Sequence, residues 1–542
     1  MRENFPNTGR CRIDRSRRDG GRNAIFTSSG CRPPGLPDAA LLPTRPHVVV
    51  VGAGIAGLAA ATGLAERGVS VDVVEREHYL GGRVGGWTDH LADGTPVAMN
   101  RGFHAFFRQY YNLRALLRRT DPELRFLTPL DDYPLIDAHG RRDSFRGLPR
   151  TPPWNALAFV LRSPTFGVRD LMRINRRAAA PLAAVSVPDI YHRLDQFDAE
   201  TFLERINFPA AARHLAFEVF SRSFFIEPAH MSAAELATMF HIYFLGSSEG
   251  LLFDVADTNF DELWSPLREY LTAGRARSLT GTVRFHTGVD IAAIDTTTGA
   301  PFRLFDITGT RVDADAVVLA TDISALRRIV GASPTLGDTA WRARIEGMGT
   351  APAFLVQRLW LDRPVNEDRP AFLGTGSLRP LDNISVVNRY EDQALRWAHR
   401  HDGSVVELHA YALPETATVD PGRAALQQQM LARLHALYPE TADAHILGER
   451  LQYRRDCPRL GPGDFASRPT VATPHRGLVL AGDGIRIDLP VALMERAATT
   501  GWAAANHLLA EWGVRGHDLY TVPTHGRSAL LRRLATRESH MS

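Results

Sequence analysis

The chain has 542 residues, enough for two or three domains around a large core. With 44% hydrophobic and 23% charged residues, it has a globular balance that excludes collagen-like, wholly disordered and disulfide-scaffold classes. Of the net charge of +3, residues 1–46 carry +5, which leaves a near-neutral body without the concentrated basic face of a nucleic-acid binder.

Every one of the 63 basic residues is Arg. Lys Schiff-base chemistry and a P-loop Lys are therefore excluded. Of three Cys, only Cys457 lies in the body. A single Cys can neither staple a fold nor hold a metal, which points to a reducing, cytoplasmic setting. No run of about 18 apolar residues occurs, so no transmembrane helix is predicted. No apolar run follows the Arg17–Arg18 pair, so a secretory reading is rejected.

Residues 1–46 hold nine Arg, six Pro and five Gly, a composition that predicts a disordered basic tail. Order is expected from His47. HVVVV (47–51) reads as a buried strand, GAGIAG (52–57) as a turn into a helix, and VDVVE (71–75) as a second buried strand. Residues 101–270 hold 26 of the 46 aromatic residues, with helical patterns at 109–119, 155–161, 168–178, 210–224 and 232–245. That density suggests either an apolar cavity or a membrane-facing layer. Strands are predicted within 283–294 and 314–321 and at 350–361, 384–389, 404–413, 446–454 and 476–484, with helices at 424–437 and 490–511.

Three motifs carry chemistry. Gly52 permits the tight turn, Gly54 leaves room for a pyrophosphate, and Gly57 lets helix and strand pack closely. Ile55 and Ala56 open the helix whose N–H groups and dipole favour phosphate. Glu75, at the end of the second strand and followed by Arg76, suits the ribose hydroxyls of an adenosine and would repel a 2′-phosphate. Next, Gly81-Gly82-Arg83 lets the backbone approach the cofactor while a guanidinium reaches the pyrophosphate; an NAD enzyme does not need this element. Finally, LVLAGDG (478–484) sets Gly482 and Asp483 before a long helix. Asp483 suits a ribityl hydroxyl, and the helix N-terminus suits negative charge on reduced flavin. Val289 is expected to reach adenine through its backbone.

These parts predict an α/β protein: a Rossmann-type FAD-binding domain with a discontinuous substrate domain of mixed β-sheet plus helices. The FAD parts are placed at 47–100, 271–330 and 471–522. The aromatic-rich helical region is 101–270, the substrate-domain sheet 331–470, and a basic C-terminal tail 523–542.

Together the three motifs resemble the FAD-dependent amine oxidase and phytoene desaturase superfamily. RGFHAFFRQYYNL (101–113) is similar to an element of plant-type carotenoid desaturases, and AGDGIRIDLPVALMERAATTGWAAAN (481–506) to their flavin segment. The chain departs from them where Glu-Gly-Ala becomes Glu495-Arg496-Ala497. SRSFFIEP (221–228) and MFHIYFLGSSEGLLFDV (239–255) most resemble carotenoid φ-ring synthases. The resemblance implies FAD as cofactor, with Gly102 and Met494 beside it, and a substrate of the β-carotene class whose β-ionone rings become aromatic. One geminal methyl would migrate, so no methyl donor is needed. The residues do not separate φ- from χ-ring products. Acyclic carotene desaturation, isomerisation, protoporphyrinogen oxidation and a non-enzymatic isoprenoid carrier are the rival readings.

Such a reaction needs a dry aromatic slot and a base. Phe103, Phe106, Phe107, Phe224, Phe225, Phe240, Tyr243 and Phe244 are the wall candidates, and His104, Glu249, Asp254 and Asp488 the candidate bases. The stretch 154–177 mixes apolar residues with Arg162, Arg169, Arg173, Arg176 and Arg177, as an interfacial segment on the inner face of the cell membrane would. RSALLRRLATR (527–537) is a second such stretch. A membrane quinone or oxygen is the expected electron acceptor.

Overall fold

The computed structural model describes residues 25–27, 35–216, 222–273, 279–296, 301–418, 421–527 and 532–533. Most of the basic tail, and most of 527–537, lie outside them. The last part of the tail departs from the expectation of disorder. Leu36 N–H donates to Gly513 O and Arg515 N–H to Leu36 O, both at 2.9 Å. Asp38 caps the short helix Ala39–Leu41, and Ile25–Thr27 pairs antiparallel with Leu519–Thr521. Composition cannot reveal such backbone pairing with distant turns. The start of the C-terminal tail is tied down in the same way: Val187 N–H donates to Thr524 O, and Gly526 N–H to Val185 O.

The central sheet has five parallel strands in the order Thr282–Thr287, Ser70–Glu75, His47–Val51, Ala316–Leu319 and Leu478–Leu480. Parallel sheets are covered on both faces, which explains the all-apolar runs. Val48, Val50, Val73 and Val318 face the helices Ile55–Ala65 and Leu493–Glu511. Val49, Val51, Val317 and Leu319 face the opposite way, toward Phe302, Leu304 and the helix Ile323–Gly331. The two helices approach closely through small residues. A Cβ on Gly501 would lie 2.2 Å from Ala56 O, and one on Gly63 would lie 2.9 Å from Ala505 Cβ. This contact brings the last tenth of the chain onto the first glycine turn.

A second, seven-stranded sheet runs Ile446–Arg454, Ala353–Leu361, Ser404–Leu413, Asn383–Val386, Phe372–Gly374, Leu135–Ile136 and Arg142–Asp143. The aromatic region forms a mainly helical layer with a small sheet of Phe106–Phe107, Phe253–Ala256 and Leu127–Pro129. The helix predicted over 168–178 divides into Val168–Arg173 and Arg176–Ala183, because Asn175 caps the second by accepting from Ala178 N–H. Of the helix predicted over 210–224, the described residues show a 3-10 turn at Ala210–Ala212 running into a helical turn at Arg213–Ala216, and a second 3-10 turn at Arg222–Phe224; 217–221 lies outside the described residues.

Candidate active site

One cavity holds most of the chemistry. It spans about 2180 Å³, the open solvent at its mouth included, and runs from the first glycine turn to the seven-stranded sheet.

At one end the backbone makes a cradle. Gly52 has φ +102°, and a Cβ there would lie 2.6 Å from Ala320 O. Gly54 precedes the helix Ile55–Ala65 and bridges to Gly81, whose N–H donates to Ala53 O at 2.8 Å. A Cβ on Gly82 would lie 3.1 Å from Gly54 Cα. Glu75 accepts from Ala53 N–H at 2.6 Å and from Glu77 N–H at 2.9 Å, so it ties the second strand to the glycine turn. Burial pushes its carboxyl above the ordinary range, against those two donors. Arg76 pairs with Asp322 at 2.9 Å, and both line the cavity. Val289 lines it too; its N–H donates to Glu75 O at 2.9 Å, so of its backbone groups the carbonyl is the one left for adenine.

In the middle, Arg83 and Asp483 meet at 2.5 Å. Sequence reading aimed them at different parts of a cofactor, and the structure makes them partners. Gly482, Met494 and Ala497 line the wall beside them. Leu493 opens the long helix at φ +54°, an uncommon conformation for a branched residue. Arg496 holds this corner from behind. It donates to Val491 O at 3.1 Å and Asp483 O at 3.3 Å, and pairs with buried Glu235 at 2.7 Å. Arg468 takes the other oxygen of Glu235 at 2.7 Å.

At the far end stands an aromatic cage. Phe103 lies 4.4 Å from Phe372 and 5.6 Å from Phe253, ring centre to ring centre. Tyr133 closes it at 5.1 Å from Phe372. Phe225, at φ +56°, packs on Phe354 and Tyr411. Phe103, Phe107 and Phe225 are the predicted wall residues that line the cavity. Phe106, Phe224, Phe240, Tyr243 and Phe244 lie outside its lining, among the core of the helical layer. Sequence reading missed Tyr133, Phe253, Phe354, Phe372 and Tyr411. The last three come from the sheet, where aromatics look like ordinary strand residues.

Of the four candidate bases, only His104 reaches the cavity. Its Nδ1 lies 2.8 Å from Gly102 O. Burial pushes its imidazole down to about 4, and Arg101 and Arg83 push the same way. The other three require correction. Asp254 is held by Arg114 at 2.8 Å and Arg108 at 3.5 Å in the small sheet. Glu249 accepts from Tyr111 Oη at 3.3 Å, away from the lining. Asp488 is half exposed and pairs with Arg486 at 3.0 Å. Gly57 and Gly102 also lie off the lining. A Cβ on Gly57 would lie 1.8 Å from Gly52 O, in keeping with its expected packing role. Gly102, expected beside the cofactor, instead makes room for a side chain: a Cβ there would lie 2.9 Å from His409 Cε1.

A glycine cradle at a helix start, an acid after the second strand and a second helix N-terminus on one apolar cavity make a dinucleotide-binding oxidoreductase fold. The profile of flavin-containing amine oxidoreductases matches residues 55–509, and the chain belongs to that family. Within it, the chain is similar to the carotenoid phi-ring synthases. It is 59% identical over 497 residues to that of Streptomyces griseus, covering 90% of this chain and 93% of the relative. It is 26% identical to that of Chlorobaculum tepidum, covering 93% and 94%. The fold is similar to that of wild-type putrescine oxidase bound to putrescine: TM-score 0.63, 16% identity, 86% of this chain and 99% of that one. The cofactor is FAD, and the cradle fits it: Gly54 lines the cavity at the helix start, and a Cβ built there would meet nothing nearer than Gly82 Cα at 4.0 Å, which leaves room for a pyrophosphate.

Proposed function

We propose that the chain is an FAD-dependent carotenoid oxidoreductase. It desaturates the β-ionone rings of β-carotene, with a 1,2-methyl shift, to give aromatic φ-rings. One observation carries the reading: the glycine cradle and the aromatic cage share a single cavity, in a chain 59% identical to a carotenoid phi-ring synthase.

Gly52, Gly54, Gly81 and Gly82 would hold the pyrophosphate, with the helix start at Ile55 and Ala56 turned toward it. Glu75 would take the adenosine ribose, and Arg83 with Asp483 the ribityl side. FAD supplies a two-electron acceptor for hydride. A ring carbon bearing two methyls becomes aromatic only by moving one of them. Each ring therefore gives up four hydrogens, two as hydride and two as protons, while a methyl shifts to the neighbouring carbon. The chain holds the ring among Phe103, Phe253, Phe372 and Tyr133, whose faces tolerate a developing cation and whose packing excludes water. A membrane quinone or oxygen takes the electrons away. The test is expression in a β-carotene-producing host, with mass spectrometry and NMR of the pigments. Aromatic end rings are expected. Extra acyclic double bonds or unchanged pigment overturn the reading.

The substrate lives in lipid, so the protein meets a bilayer. Among the described residues no helix is long and apolar enough to cross one. On the helix Trp154–Arg162, however, Trp154, Leu157 and Leu161 share an outward face, 60%, 46% and 69% exposed. Asn155 and Phe159 hold the opposite face to the body, through Phe244 O and the ring of Phe145. Phe145 in turn stacks on Tyr133 of the cage. With the neighbouring arginines, this face seats the chain on anionic lipid at the inner face of the membrane. Wild-type protein is expected to sediment with anionic vesicles, and less so in high salt. Leu161→Glu should cut binding by about tenfold or more, since burying a leucine is worth about 1.5–3 kcal/mol. Wild-type protein left wholly in the supernatant overturns this.

A further inference from the structure

The mechanism needs a proton acceptor at the ring, and three of the four carboxylate and histidine candidates lie elsewhere. The strand Ser404–Leu413 carries another set. Side chains two apart on a strand share a face, so Glu407, His409 and Tyr411 form a row. Tyr411 Oη lies 3.0 Å from His409 Nδ1, and His409 Nε2 lies 3.3 Å from Glu407 Oε2. Arg358 Nε donates to Glu407 Oε1 at 2.8 Å, and Asn383 Nδ2 donates to Tyr411 Oη at 2.9 Å. His409, Tyr411 and Asn383 line the cavity, whereas Glu407 is fully buried behind them.

Resting on the function proposed above, we infer that Tyr411 is the base that takes the ring proton and that His409, backed by Glu407, receives the phenol's own proton. As the C–H electron pair of the ring carbon becomes the ring double bond, its proton bonds to Tyr411 Oη. The Tyr411 O–H proton moves to His409 Nδ1. The imidazolium then faces the Glu407 carboxylate through Nε2–H. After each oxidation the proton returns through Tyr411 to water, so the row is free to take the second proton of the same ring. No other co-reactant is needed, since FAD, when bound, would supply the hydride acceptor.

Electrostatics favour this row over His104. A protonated His104 would face the cations Arg101 and Arg83. A protonated His409 faces a carboxylate. Burial opposes charge on Glu407, yet Arg358 and His409 hold its carboxyl down at about 2. An ionised Glu407 accepts from Nε2–H, which leaves Nδ1 to accept the Tyr411 proton. Burial raises the Tyr411 phenol, so it rests protonated, and Asn383 lends a donor to the oxygen as charge develops there. Gly102 belongs to the same device, because a side chain there would displace the His409 ring. Tyr411 and His409 are thus catalytic residues, and Glu407 a positioning residue.

The test uses FAD-loaded enzyme with β-carotene in vesicles, read as aromatic product. Tyr411→Phe and His409→Gln should each keep wild-type flavin content and a KM within about twofold, while kcat falls about 100-fold or more. 3-Fluorotyrosine at position 411 keeps the hydroxyl and the fold but weakens the base, so kcat should fall several-fold. Either substituted variant that keeps both flavin and wild-type kcat overturns the inference. If both lose flavin, the fluorinated enzyme decides, and an unchanged kcat there overturns it. Wild-type enzyme that forms no aromatic ring overturns the function itself, and the relay with it. Aromatisation by wild type with no loss in Tyr411→Phe overturns the relay alone.

Discussion

Replacing Glu235 with Gln should unfold the flavin corner. Glu235 sits fully buried between Arg468 and Arg496 and gives one oxygen to each at 2.7 Å. A glutamine keeps the shape but removes the charge and turns an amide N–H toward one guanidinium. Two buried cations then lack a counter-charge, a loss of about 3–5 kcal/mol. Arg496 also holds Val491 O and Asp483 O, so the turn bearing Asp483 loosens with it. The expected result is a large drop in thermal stability together with loss of bound flavin. The pH dependence follows. Burial opposes charge on Glu235, but the two guanidiniums win and hold its carboxyl below the ordinary 4.5. A depressed carboxyl stabilises fully above about 4.5, and that contribution is lost as pH falls through the folded value. Glu235→Gln should remove this acid-range loss, because its stability is already missing at neutral pH. Wild-type stability in the variant would refute the account. Replacing all three residues with apolar ones of similar size should recover much of the stability without restoring flavin affinity.

Gly57→Ala should fail more completely than Gly54→Ala, although the two glycines stand three residues apart. The added methyl at Gly57 would lie 1.8 Å from Gly52 O and 3.0 Å from Gly52 C. Both are backbone, and Gly52 is itself confined by Ala320 O. Nothing flexible can yield, so helix and strand must separate, at about 4 kcal/mol or more. At Gly54 the nearest atom to a new methyl is Gly82 Cα, at 4.0 Å, and the backbone is extended. That variant should fold and melt near wild type, yet lose flavin affinity because the methyl fills the pyrophosphate's place. Flavin absorbance per protein, set beside melting temperature, separates the two. Gly57→Ala recovered folded with normal flavin would sink the argument.

The glycine-cradle half of the cavity was legible because its signals are local. The turn at 52–57, Glu75 and the pair 81–82 lie within about thirty residues, and their backbone demands are written as glycines. The 478–484 strand and its helix announce themselves in the same way. The departure at Arg496 was visible, but its reason was not, since Glu235 lies 261 residues away. Asp488, Asp254 and Glu249 misled because a carboxylate in a row of letters carries no sign of its partner. In the fold each is taken up by arginine or tyrosine. Glu407, His409 and Tyr411 could have been found from the period-two reading of 404–413. The missing sign was which face of that strand meets the cavity.

By itself the sequence determined the central parallel sheet, the glycine cradle, the dinucleotide class and the aromatic richness of the middle region. Each follows from short-range periodicity or from residues that only one backbone shape accepts. Tertiary structure alone decided which aromatics face the cavity, which acids are spent on arginines, and that Arg83 answers Asp483 across 400 residues. Side-chain chemistry depends on what stands within a few ångströms. That neighbourhood is set by sheet register and helix packing between segments hundreds of residues apart.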